Sequence, residues 1–172
     1  MYEIFDPKIN GPLHEASRKD ARGAYNWFIE NIEARLQQLE LITRPDGIAL
    51  DFSTKSLSDL DQWFYDRAKI GFDKGVDSVS SEVFSICNDL GMCMSEMLIR
   101  LPGDVSWEFF TKGKKNVAYH RAVISGFSNV KNRNYNIDYD FLLCQYAHRI
   151  LKDGKQEKGL ILDMHEVAVP RI

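Results

Sequence analysis

The hydrophobic period of this chain changes once, at Leu101-Pro102-Gly103, and that change limits the folds open to it. Before the break, apolar residues recur every three or four positions, the spacing that lines one helix face. After it they alternate, the spacing of a half-buried strand. The order reads as an α+β fold: a helical N-terminal half packed on a small antiparallel β-hairpin or sheet, closed by a C-terminal helix. No stretch rich in Pro, Gly or Ser divides the 172 residues, and no internal repeat or low-complexity tract occurs. Residues 1–172 therefore read as a single domain, in which 153–172 is either an ordered part or a loosely attached tail.

The spacing predicts a first helix from about Ser17 to Leu41. Ala21, Ala24, Phe28, Ile32, Leu36 and Leu39 form its stripe, and Pro45-Asp46-Gly47 stops it. Ile48 to Phe52 alternates and reads as a brief extended segment. A second helix begins at Ser56 or Ser58, either of which can accept from orphan N–H groups of a first turn, with Leu60, Trp63, Phe64 and Ala68 facing inward. A third starts after Ser80 or Ser81 and runs to about Ile99, with a wide apolar face. Beyond the break, residues 106–110 and 117–124 read as two strands joined by Lys112-Gly113-Lys114-Lys115-Asn116. Asp138 caps a fourth helix that Asp153-Gly154 ends. Leu160-Ile161-Leu162 fits either a short helix or a last strand.

Charge is unevenly spread. Through Glu108 eleven Lys and Arg face nineteen Asp and Glu, whereas from Phe109 onward eleven face six, for a total of −3. No acidic residue lies between Glu108 and Asp138, a span that holds Lys112, Lys114, Lys115, Arg121, Lys131 and Arg133. Such a split suits a charged partner, or an acidic helical half docked on a basic half of the same domain.

Asp51-Phe52-Ser53 with Ser56-Leu57 and Leu60-Asp61, followed by Leu90-Gly91, Glu96 and Trp107, resembles a pattern of uncharacterised bacterial domain families. In those families a Leu-Gly pair and a glutamate on one helix precede a tryptophan strand. Ser95 stands here where the families often carry a second glycine. Such domains are similar to small cytosolic proteins of bacterial toxin systems, some of them immunity proteins. Read from the residues alone, Gly91 and Ser95 let another element approach one helix face. Asp51 can hold a loop, and Trp107 can fill the core beneath the third helix. Glu96 either sits at the water boundary or pairs with Arg121, because a buried carboxylate needs a partner.

The resemblance implies a protein-binding module, an immunity or inhibitor protein that neutralises a toxin by occluding it. Against a nuclease the partner surface would be acidic: Asp59, Asp61, Asp66, Asp73 and Asp77. Against an acidic partner it would be Lys112, Lys114, Lys115, Lys131 and Arg133. A nucleic-acid surface is the alternative, since Phe109, Phe110, Tyr119, Phe127 and Tyr135 interleave with the cations and could stack bases. Against that alternative stands a sequence pI of about 5.8.

Known catalytic and cofactor motifs are missing. There is no GxGxxG, no phosphate-cradling loop, no HExxH, no CxxC and no Gly-x-Ser-x-Gly elbow, so no cofactor or metal is expected. Cys87, Cys93 and Cys144 read as core thiols, and an odd cysteine count fits a reducing compartment. An enzymatic reading rests on His120 and His148 approaching each other beside Asp138 or Asp140. The opening residues lack the basic and apolar regions of a signal peptide, and no run suits a membrane span. The sequence thus predicts a cytoplasmic protein with no membrane partner.

Overall fold

A computed structural model describes all residues, 1–172. Helix α1, Arg18–Thr43, starts where the Ser17 hydroxyl accepts from the Asp20 amide at 3.1 Å. It passes into a 3-10 turn over Arg44–Asp46, which Pro45 opens and Gly47, at φ 77°, closes. Residues 48–52 then form no strand. The Asp51 carboxylate accepts from the Ser53 amide at 3.0 Å and Phe52 adopts φ 59°, so the chain turns rather than extends. That turn sets Ser53 as the cap of α2, Thr54–Asp73, a few residues before the expected start. Ser80 caps α3, Ser81–Ile99, as the sequence predicts.

Helix α3 is the centre of the molecule. Every residue from Ser85 to Ser95 is buried, and the helix packs against α1 and the two C-terminal helices. Leu90 and Leu98 are fully enclosed, and each such side chain contributes about 1.5–3 kcal/mol relative to exposure. No helix is long and apolar enough to cross a membrane.

Past Pro102, β1 (Ser106–Phe109) pairs antiparallel with β2 (Ala122–Ser125), Trp107 opposite Ile124 and Phe109 opposite Ala122. Gly126, at φ 91°, lies so close to β1's approach that a Cβ would meet the Asp104 carbonyl at 2.2 Å. The second strand is shorter than its alternation suggests, because residues 117–121 form turns. Tyr119 N–H donates to Asn116 and Arg121 N–H to Ala118, and His120 sits at φ 68°. The alternation is satisfied without a strand, since Ala118 and His120 are buried by the turn itself.

Asp138 caps α4, Tyr139–Asp153, by accepting from the Phe141 amide at 3.2 Å, and Gly154 ends it. The α4 start presses on Gly91, where a Cβ would meet the Asp140 amide nitrogen at 2.7 Å. Gly91 is thus the close-approach position that its helix face suggested. The last segment resolves as a helix, α5, Leu160–Ala168, followed by a 3-10 turn. Residues 153–172 are not a loose tail, because Ile161 and Ala168 enter the main core. Gly159 has no side chain to cap α5, so Asp61 of α2 does it instead, accepting from Gly159 N–H at 2.8 Å and Ile161 N–H at 3.2 Å. The fold is α+β, with five helices and a two-stranded antiparallel sheet.

Candidate functional site

One guanidinium group lies inside this protein and a second is half-buried. The first, Arg35 on α1, reaches Asp89 on α3 through Nε and Nη2, both at 2.7 Å. Its Nη1 donates to the Glu3 carbonyl at 2.8 Å, and Tyr2 donates to Asp89 at 2.5 Å. Ser85 accepts from the Phe5 amide at 2.7 Å. Burial, the Asp89 charge and a hydrogen bond to Asp89 raise the Tyr2 phenol above its ordinary range. Burial also raises the Asp89 carboxyl, against the pull of Arg35 and Tyr2. The centre pins the N-terminal strap, residues 1–16, to the helices at its first five residues. Sequence reasoning passed over it, although the signal was present. Asp89 lies inside the apolar run of α3 and Arg35 beside Leu36 and Leu39, and a carboxylate there needs a cation.

The second group, Arg121, leads into β2 and is shared by two carboxylates. Its Nε binds Asp138, and its Nη2 binds Asp140 at 2.7 Å. Of the two positions open to Glu96, it takes the water boundary rather than Arg121: half-buried, it accepts from the Trp107 indole at 2.9 Å. Arg121 had nearer carboxylates at the α4 start, and Trp107 carried a donor that had to be satisfied. Burial and repulsion from Asp140 lift the Asp138 carboxyl well above its usual value. Burial acts the same way on Asp140, but Arg121 and a hydrogen bond from Asp138 outweigh it and hold Asp140 low.

Beside this pair sits His120, 3% exposed. Its ring stacks on Tyr119, with centroids 3.9 Å apart, and on Phe109 at 5.5 Å. Nδ1 lies 3.1 Å from the Leu13 carbonyl oxygen, and Nε2 has no partner. His120, Arg121 and Asp140 line one side of a pocket whose other walls include Phe5, Leu13, Tyr25 and Phe28. The sequence singled out His120 for a pair with His148. The structure does not bring them together, since His148 is on the exposed side of α4. No group of His, Cys, Asp and Glu is arranged to hold a metal ion. Cys87 and Cys93 are buried thiols, and burial pushes Cys93 up to about 12, so both are core groups.

The two charged surfaces differ in how far they are already neutralised. Asp59 pairs with Lys55 at 2.5 Å and Asp73 with Lys69 at 2.6 Å, each one turn away on α2. Asp66 accepts from Gln62 at 2.8 Å. Asp61 is withdrawn altogether, because it is buried as the α5 cap. Only Asp77 of that set is exposed without a partner. On the basic side Lys112 pairs with Glu108 at 3.2 Å. Lys114, Lys115, Lys131 and Arg133 are exposed and face no carboxylate. The interleaved aromatics are consumed internally. Phe109, Phe110 and Phe127 are buried, Tyr119 covers His120, and Tyr135 packs edge-on against Phe127 at 5.1 Å.

Compared with models of protein families, with curated proteins and with solved structures, the chain finds no match.

Proposed function

We propose that this protein is a binding module for an acidic protein partner, engaged through the basic loops that carry Lys114, Lys115, Lys131 and Arg133. The observation that carries this reading is their lack of partners. Four cations stand exposed without a carboxylate, whereas Asp59 and Asp73 are paired with lysines of their own helix and Asp61 is buried. Unpaired surface charge steers association and sets register. Val117, beside the same loop and 60% exposed, offers an apolar contact next to the charge. A protein suits this surface better than a single-stranded nucleic acid, because the aromatic rings that would stack bases are committed inside the fold. The resemblance to immunity proteins makes a toxin the partner, held by occlusion rather than by chemistry.

The test is capture from lysate of the source organism by wild type and by two charge reversals, at low and moderate salt. One protein held stoichiometrically by wild type, weakened by salt and lost on Lys114→Glu with Lys115→Glu and Lys131→Glu, is the expected result. It should survive Asp59→Lys with Asp66→Lys and Asp73→Lys. Capture that is indifferent to the basic reversal, or that yields only nucleic acid, overturns the reading.

A further inference from the structure

We propose that Cys87 on α3 and Cys144 on α4 are a reversible redox pair, which a small peroxide closes to a disulfide between the two helices. The pair is separate from the basic loops and does not depend on them.

The pairing follows from the way the helices cross. Ordinary packing holds helix axes about 8–10 Å apart, whereas a disulfide needs Cα atoms roughly 4.4–6.8 Å apart. Gly91 lets α4 come closer than side chains would allow. An added Cβ there would lie 2.7 Å from the Asp140 amide nitrogen and 3.0 Å from its Cα. Cys87 lies one turn before Gly91, and Cys144 one turn after Asp140. One turn farther out, Val83 and Ala147 line the same cavity. The helices therefore run antiparallel away from the crossing, and residues one turn out on each face one another. Cys87 and Cys144 are the first such pair, each thiol within hydrogen-bonding reach of the other. Cys93, six residues from Cys87, is on another side of α3 and takes no part.

Their surroundings set the order of events. Cys144 is half-buried, whereas Cys87 is fully enclosed. Burial, reinforced by Cys144 and Asp140, pushes the Cys87 thiol well up, so it stays protonated. Peroxide therefore meets Cys144 first. The Cys144 sulfur attacks one peroxide oxygen and the O–O bond breaks. The other oxygen leaves as water with the thiol proton, and Cys144 becomes a sulfenic acid. The Cys87 sulfur then displaces that hydroxyl: an S–S bond forms, the S–O bond breaks, and a second water carries off the Cys87 proton. Together the two thiols give up one electron pair, and one peroxide becomes two waters. A thiol reductant reverses the step by exchange. The closed bond fixes α4 against α3, and with it the two aspartates that hold Arg121.

Peptide mass spectrometry of the folded full chain, treated with hydrogen peroxide at mildly alkaline pH and then alkylated, tests this. The expected product is a Cys87–Cys144 linked peptide lacking both thiol hydrogens, lost on treatment with dithiothreitol, with Cys93 alkylated. The oxidised chain should keep its native amide NMR spectrum outside the neighbourhood of the link. Cys87→Ser should leave Cys144 as a sulfenic acid that dimedone traps severalfold more than in wild type. Cys144→Ser, at the half-buried position, should abolish the link and serves alone if Cys87→Ser does not fold. The proposal is overturned by no link in the folded chain, by a link that forms only in urea, or by one that uses Cys93. Loss of the native spectrum on oxidation overturns it too, as does equal dimedone trapping in wild type and Cys87→Ser.

Discussion

The two arginines bound to aspartates across the fold, Arg35 and Arg121, occupy opposite situations. Arg35 faces one carboxylate in a two-pronged pair and spends its remaining donors on Glu3, Tyr2 and Ser85. Arg121 is divided between two carboxylates, next to a strained histidine with an unmet acceptor and a pocket. Each centre joins elements far apart in sequence, so both serve the fold. Only the second leaves hydrogen-bonding capacity unused. Where the polar groups of an interior are all met, the arrangement has no capacity left for a ligand.

Breaking the complete centre should have the largest effect. Arg35→Met strands the Asp89 charge in the core and should cost about 3–5 kcal/mol in urea unfolding. Removing both charges, as Arg35→Met with Asp89→Leu, should cost less than the single change, because no buried charge is then left alone.

At the shared centre either aspartate can be neutralised while Arg121 keeps the other. Asp140→Asn and Asp138→Asn should each cost about 1–2 kcal/mol, less than Arg35→Met. Their pH dependences should run in opposite directions. Asp140 is held low in the folded state, so its stabilisation is present above its unfolded value and fades as pH falls. The deficit of Asp140→Asn against wild type therefore grows as pH rises out of the acid range. Asp138 is raised, so its ionisation weakens the fold as pH climbs from about 4 toward neutrality. The deficit of Asp138→Asn should shrink over that window, since asparagine still caps α4. Unfolding curves at several pH values check both slopes.

A smaller effect belongs to Asp61, a carboxylate met entirely by backbone. Asp61→Ala leaves the Gly159 and Ile161 amides without their acceptor and should cost about 1 kcal/mol. Faster hydrogen exchange confined to α5 would locate it. Smallest is Lys114→Glu with Lys115→Glu, two exposed lysines that pair with nothing, which should shift stability by no more than about 0.5 kcal/mol. A large loss there would mean that the basic loops serve the fold.

Much of the architecture was legible. Periodicity located the four longer helices, and Ser17, Ser80 and Asp138 marked three starts because capping is a local interaction between a side chain and amides two or three residues on. What was not legible depended on distant partners. The alternation of residues 117–121 is the same for a strand and for a turn that buries Ala118 and His120; Phe110 decides it by accepting from the His120 amide at 2.7 Å. Asp61 reads as a surface charge until α5 is known to need a cap. Which of its two positions Glu96 takes was not legible for the same reason, since the donor it meets, Trp107, and the carboxylates that meet Arg121, Asp138 and Asp140, are set by packing. His120 stood out in the sequence, but its role could not be read there, because its neighbours Leu13 and Phe109 come from other parts of the chain.

The Arg121 centre is left incomplete at the neighbouring His120, and the state of the His120 ring tests this most directly. Long-range proton–nitrogen correlation of the imidazole at neutral pH distinguishes the two tautomers and the cation. A proton on Nδ1, held by the Leu13 carbonyl, with Nε2 bare, is the predicted result. A proton on Nε2 would contradict it, because the Leu13 carbonyl would then receive no hydrogen bond from the ring.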